Sequence, residues 1–270
     1  MRLQFAQIDA FARTPFEGNP AAVMPLTTWL DDATLQRIAS ENNLSETAFI
    51  VPVEGSEDDG GEGADFELRW FTPAAEVALC GHATLASGHF LLAADPSRDR
   101  VAFQTRQASV LEVARDGDGY AMALPAWGPV PKPMPEIVAA LGVDPLETLW
   151  HDKGYALVIV ADEAAVRAAQ PDGRAIKALG PYVHIVAARG ETAEVVSRVF
   201  TDYFDIPEDP VTGSAHAVMV PYWAEKLGKP GFTAYQASAR GGHVGCTLDG
   251  NRVILRGHCV TVIEGVFLLP

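Results

Sequence analysis

Long apolar runs are missing from this chain. The longest, Tyr155–Ala161, has seven residues, whereas a membrane-spanning helix needs about twenty. Basic charge is scarce as well. Lys and Arg total 20 against 35 Asp and Glu, a formal net charge of −15, and that balance repels phosphate backbones and anionic lipid. Neither nucleic acid nor a membrane is therefore expected as a partner. Cys80, Cys246 and Cys259 are the only cysteines in 270 residues, too few for a disulfide framework. The seven histidines and three cysteines show no H-E-x-x-H and no paired C-x-x-C spacing, so no dedicated metal site is expected. No G-x-G-x-x-G follows a strand, and neither a Walker loop nor a G-x-S-x-G elbow occurs. The five lysines stand in no context that points to a Schiff base. Met1-Arg2-Leu3-Gln4-Phe5 enters a strand-like pattern at once, leaving no room for a signal peptide. The expectation is a cytoplasmic, acidic globular protein whose chemistry, if it is an enzyme, needs no cofactor.

What the chain does have is apolar substance: 48% of residues are apolar and 20% charged, enough for a substantial core. At roughly 150 residues per domain, its length predicts two domains. Residues 125–135 hold five prolines in eleven positions and read as a stiff, extended linker. This divides an N-terminal domain, 1–124, from a C-terminal one, 136–270, with the last strand free to return to the first domain. Residues 54–65 carry six acids and four glycines and read as a solvated hairpin loop.

The halves repeat each other weakly, the signature of duplicated architecture. Arg69-Trp70-Phe71-Thr72 precedes Cys80-Gly81-His82-Ala83, and Arg198-Val199-Phe200-Thr201 precedes Thr212-Gly213-Ser214-Ala215. Upstream of each lie a short helical stretch (Asp32–Glu41; Arg174–Leu179) and a strand (Leu44–Val51; Tyr182–Ala188). The first strands, Phe5–Phe11 and Tyr155–Ala161, are taken to correspond. Ala83–Ala94 and Ala215–Leu227 read as helices that are apolar nearly all round, the second with a kink at Pro221, and such helices must be buried. The predicted fold is α+β: two pseudo-symmetric domains, each a curled sheet around a central buried helix, meeting at a cleft. Cys-Gly-His and Thr-Gly-Ser then sit at the two helix starts, whose unpaired N–H groups suit a carboxylate.

Several residues could carry chemistry, each beside a plainer reading. Alternation places Leu44, Glu46, Ala48 and Ile50 on one strand face. A carboxylate among apolar neighbours is suited to take and return a proton near neutral pH, although Glu46 also reads as a rim residue on a half-exposed strand. His82 stands where the helix dipole favours neutral imidazole. Asp209, before a proline, reads as turn chemistry in the loop ahead of the second helix, and Ser214 as an N-cap. Cys80 is either a thiolate base activated by its helix start or a small packed hydrophobe; the second thiol of a two-base racemase would fall at Thr212. Cys246 and Cys259 lie on late strands and read as structural.

Six ordered motifs give these residues a context. Gln7-Ile8-Asp9-Ala10-Phe11, Phe16-Glu17-Gly18-Asn19-Pro20-Ala21-Ala22-Val23, Asn43-Leu44-Ser45-Glu46-Thr47-Ala48-Phe49 and Leu68-Arg69-Trp70-Phe71-Thr72-Pro73 are followed by Gly81-His82-Ala83-Thr84 and Asp209-Pro210-Val211-Thr212-Gly213-Ser214-Ala215-His216. Together they resemble the phenazine biosynthesis PhzF-like family. The resemblance implies a diaminopimelate-epimerase-like fold, a homodimer, no cofactor, and an isomerase that moves a proton between carbons of a small carboxylate of the dihydro-hydroxyanthranilate type. It implies Glu46 as general acid and base, with His82, Asp209 and Ser214 as its catalytic partners. Asn19, Gly81, Gly213, Cys80 and Thr212 are assigned to substrate binding. Two other readings stay open: an amino-acid epimerase, racemase or dehydratase using Cys80, and a non-catalytic protein that binds small acids.

Overall fold

The computed structural model describes residues 1–53, 63–107 and 110–269. Most of the stretch read as a hairpin loop, residues 54–62, lies outside the described residues. The chain divides into two compact units, Met1–Ala123 with Arg256–Pro270, and Leu124–Leu255.

Unit 1 opens with β1 (Arg2–Ala10), β2 (Asn19–Pro25), α1 (Asp32–Asn42) and β3 (Glu46–Pro52). It continues through β4 (Phe66–Phe71), β5 (Glu76–Val77), α2 (Gly81–Ala94), β6 (Arg100–Thr105), β7 (Leu111–Asp116) and β8 (Gly119–Pro125). Unit 2 follows with β9 (Val130–Pro131), α3 (Pro135–Leu141), β10 (Glu147–His151), β11 (Tyr155–Ile159), α4 (Glu163–Ala168) and α5 (Gly173–Leu179). After β12 (Val183–Arg189), β13 (Val195–Thr201) and β14 (Ile206–Asp209) come α6 (Gly213–Leu227), β15 (Gly231–Gln236), β16 (Gly242–Asp249) and β17 (Arg252–Gly257). The last strand, β18 (Cys259–Leu268), returns to unit 1 and pairs antiparallel with β1, from Arg2–Leu268 to Ala10–Cys259.

The two units repeat one pairing scheme. In unit 1, β2 runs parallel to β3, β3 antiparallel to β4, β4 parallel to β6 and β6 antiparallel to β7. In unit 2, β11, β12, β13, β15 and β16 follow the same sequence of directions. The expected match of the first strands is corrected by this scheme. Tyr155–Ile159 is the counterpart of β2, since each runs parallel to the next strand, and β1 corresponds to β10. Sequence periodicity reveals a strand but not the direction of its partner.

The helix α2 has no polar face: every residue from Gly81 to Gly88 is buried, as is Leu92. Its Thr84 and Ser87 hydroxyls donate to the carbonyls of Cys80 and Ala83, four residues back, which satisfies them without solvent. At Gly88 the helix packs tightly on β7, because a Cβ there would stand 2.4 Å from Val113 Cγ1. Gly88→Ala is therefore expected to lower stability by about 1–3 kcal/mol through overpacking. Urea denaturation checks this, and an unchanged midpoint would mean that β7 yields freely.

In unit 2, α6 runs unbroken through Pro221 and is buried along most of its length. Proline lacks the N–H that would bond the carbonyl four residues back, that of Ala217. Trp127 N–H takes its place at 2.9 Å. The proline-rich stretch is thus tied down within unit 2, and β9 adds a short pairing with β10.

Candidate active site

Glu46 owes its place to the turn before it. Asn43, the C-cap of α1, adopts a left-handed backbone with φ 49°, which asparagine tolerates better than most residues. The chain reverses there and delivers Glu46 as the first residue of β3. Thr47–Val51 are all buried, so the half-exposed strand of the plainer reading is corrected: α1 covers the Phe49 and Val51 face. The Glu46 side chain retains 14% exposure.

Around it, unit 1 brings four of the singled-out residues together. His82 Nε2 lies 3.1 Å from Glu46 Oε2. The amide nitrogen of Asn19, at the start of β2 and fully buried, lies 3.1 Å from His82 Nδ1. Cys80 Sγ sits 3.5 Å from the same Nδ1 and 4.0 Å from Nε2. Cys80 is the N-cap of α2 but makes no side-chain cap bond, so Gly81 and His82 occupy a first turn whose N–H groups Cys80 does not satisfy.

The electrostatics correct one expectation. Burial opposes a proton on His82, but the neighbouring Cys80 and Glu46 outweigh it, and its pKa rises well above the usual imidazole value. The helix dipole alone argued for neutral imidazole, because the sequence did not show a carboxylate 3.1 Å away. Burial first, and then the Glu46 charge, push the Cys80 thiol up to about 11. Both neighbours favour the His82 proton, Cys80 from beside Nδ1 and Glu46 at Nε2.

Unit 2 builds a different arrangement at the matching helix start. Asp209 ends β14, pairing with Val199, so it belongs to a strand and not to a loop turn. Thr212, not Ser214, occupies the N-cap of α6; Gly213 and Ser214 open the helix. The Thr212 hydroxyl donates to Asp209 Oδ2 at 2.5 Å.

Gln236, which nothing in the sequence singled out, locks this turn. Fully buried at the end of β15, it accepts from Thr212 N–H at 2.9 Å and donates to Asp209 O at 2.7 Å and Thr212 Oγ1 at 3.1 Å. The internal repeat held a clue: β4 and β6 pair Leu68 with Thr105 as β13 and β15 pair Ser197 with Gln236. Gln236→Leu would strand the buried Thr212 N–H, at a cost of about 1–3 kcal/mol. Hydrogen exchange at Thr212 should accelerate in this variant. Unchanged protection would show that the turn holds without the amide.

The repeat extends to a brace in each unit. Arg69 grips Glu76 through Nε and Nη2, both at 2.8 Å, and Arg198 grips Glu208 in the same way at 2.7 and 2.9 Å. Such bidentate pairs fix geometry as well as charge, and each ties a strand to the segment leading into its buried helix. Register then gives the counterparts of the two acids. Glu46 aligns with Val183, through the pairs Ala21–Glu46 and Tyr155–Val183. Asp209, the residue after Glu208, aligns with Val77.

A family model described as phenazine biosynthesis-like protein matches residues 8–265. An uncharacterized isomerase from Pseudomonas aeruginosa is 45% identical over 271 residues, covering 100% of both chains. The crystal structure of a phenazine biosynthesis protein of the PhzF family from Enterococcus faecalis matches with a TM-score of 0.89 at 40% identity, again over 100% of both chains. A hydroxyproline epimerase from Agrobacterium vitis, 12% identical, matches with a TM-score of 0.62 over 98% of this chain and 92% of its own, and so shares the epimerase-like fold. No helix among the described residues is long and apolar enough to cross a membrane. On these matches the chain belongs to the phenazine biosynthesis-like protein family, as an isomerase-type enzyme with a diaminopimelate-epimerase-like fold.

Proposed function

We propose that this enzyme moves a proton between two carbons of a small carboxylate, with dihydro-hydroxyanthranilate-type compounds as the model substrate class. Glu46 takes the proton from one carbon, the electron pair left behind delocalises into the adjacent unsaturated system, and the same carboxyl returns a proton to a second carbon. The observation that carries this reading is the buried contact of Glu46 with His82 at 3.1 Å. A positioned carboxylate with one defined partner is what general acid–base chemistry requires. His82 keeps Glu46 in place, Asn19 fixes the His82 ring, and the N–H groups of Gly81 and His82 favour an anionic ligand. Asp209 and Ser214 are proposed to position the substrate's polar groups, and Thr212 and Gly213 to support them. The Glu46 and His82 side chains supply the proton acceptor and its partner, so the proposed route requires no cofactor.

A thiol-dependent epimerisation is the second reading, favoured by the 3.5 Å approach of Cys80 to His82. Against it stand a thiol pKa of about 11 and a threonine at the position of a second thiol. Solvent deuterium wash-in, followed by proton NMR in D₂O, separates the two. The panel would hold dihydro-hydroxyanthranilate, several amino acids and hydroxyproline, tested with wild type, Glu46→Gln and Cys80→Ala. Exchange lost only in Glu46→Gln supports the carboxylate shuttle, whereas loss confined to Cys80→Ala moves the enzyme to thiol chemistry. No exchange with any acid, together with a thermal shift from one of them, would favour a non-catalytic binding protein.

A further inference from the structure

We propose that Glu46, Cys80 and His82 also form a site for a thiophilic divalent cation, Zn²⁺ above all, which would inhibit the enzyme by occupying its proton-transfer groups. The ligand atoms of the three side chains lie within 4.8 Å of one another. A thiolate, an imidazole and a carboxylate together make a zinc donor set, and three protein ligands leave a fourth tetrahedral position for water or a substrate carboxylate.

The distances fit with small adjustment. Ligands about 2.0–2.3 Å from a tetrahedral zinc stand roughly 3.3–3.6 Å apart. With Nε2 as the imidazole donor, His82 lies 3.1 Å from Glu46 Oε2 and 4.0 Å from Cys80 Sγ. Shifts of about half an ångström bring both His82 distances into that range, and Cys80 and Glu46, within 4.8 Å of each other, approach by up to about 1.3 Å to complete the set. Glu46 Oε2 is buried and, apart from His82, has no hydrogen-bond partner among the described residues, so turning it onto a cation breaks no other bond. Asn19 lies at the opposite ring nitrogen. An imidazole bound through Nε2 carries its proton on Nδ1 and needs an acceptor there, and the amide oxygen of Asn19 can serve. The exchange balances without redox chemistry: the thiol S–H and the imidazolium Nε2–H bonds break, S–Zn and N–Zn bonds form, and two protons leave for solvent.

Cation binding stands on this geometry alone, whereas the inhibition rests on Glu46 being the base. The test titrates tag-free, metal-stripped protein with Co²⁺, whose bonds to thiolate absorb in the near ultraviolet, and then displaces it with Zn²⁺. Wild type and Cys246→Ala should bind one equivalent with that band. Cys80→Ala should lose the band, and both it and His82→Gln should bind the cation about tenfold or more weakly. No band in wild type, or a band that survives Cys80→Ala, overturns the site; the second outcome would place the cation on another thiol. One equivalent of Zn²⁺ should also abolish deuterium wash-in. A bound cation with exchange unimpaired would keep the site and overturn both the inhibition and the assignment of Glu46.

Discussion

Glu46→Gln is expected to slow deuterium exchange into the substrate by about 10²–10⁴-fold, the contribution of a positioned general base, without unfolding unit 1. The substitution preserves shape and burial but removes the group that can accept a proton. A second signal should accompany the loss. His82 is held protonated against its burial, with Glu46 one of the groups that hold it. In Glu46→Gln the His82 ring should therefore titrate at lower pH, which NMR of its carbon-bound protons reads directly. Near-native exchange in the variant would remove Glu46 from the reaction. An unmoved His82 titration would show that the 3.1 Å contact does not govern the ring.

Mild acid is expected to weaken the protein between about pH 6.5 and pH 4, with His216 contributing about 3 kcal/mol at the lower end. His216 is 1% exposed inside α6. Burial pushes its pKa down from 6.5 to about 4, against the opposing bond to the Thr212 carbonyl at 2.8 Å. In that window the unfolded chain binds a proton that the native state refuses, so unfolding free energy falls as pH falls. About 2.5 units at 1.36 kcal/mol each give the stated size. His184, also fully buried and shifted down by burial, acts in the same direction. His82 acts in the opposite one: its contribution is full below about pH 6.5 and is lost as pH rises through its elevated native value. Urea midpoints measured at several pH values should show a shallower slope in His216→Gln. A slope identical to wild type would assign the acid sensitivity elsewhere.

The sequence made some of this legible and hid the rest for physical reasons. Helices that are apolar all round announce their burial, and glycine-led turns announce helix starts, so α2 and α6 could be placed in advance. Glu46, His82 and Cys80 were visible because their motifs are local. The protonation of His82 was not, since it depends on how Cys80 and Glu46, the latter 36 positions away in the chain, close on the folded ring. Gln236 was hidden for a similar reason: nothing local marks a strand-ending glutamine that reaches back 24 positions to Thr212. The braces were half visible. Arg69 and Arg198 stood out as repeat markers, but their partners Glu76 and Glu208 show only when the offset of the two glycines is carried upstream.

The pairing of β1 with β18 sets an order of assembly. Ribosomes deliver β18 after all of unit 2, so residues 124–255 can complete their own strand pairings while β1 still waits for its antiparallel neighbour. Domains generally fold as units during synthesis, and long-range strand pairings form slowly. Until β18 arrives, that side of β1 offers an unpaired backbone edge of the kind that templates aggregation. The half of the enzyme that carries Glu46 and His82 is thus finished last, and it is the half most exposed to misassembly if translation stalls late.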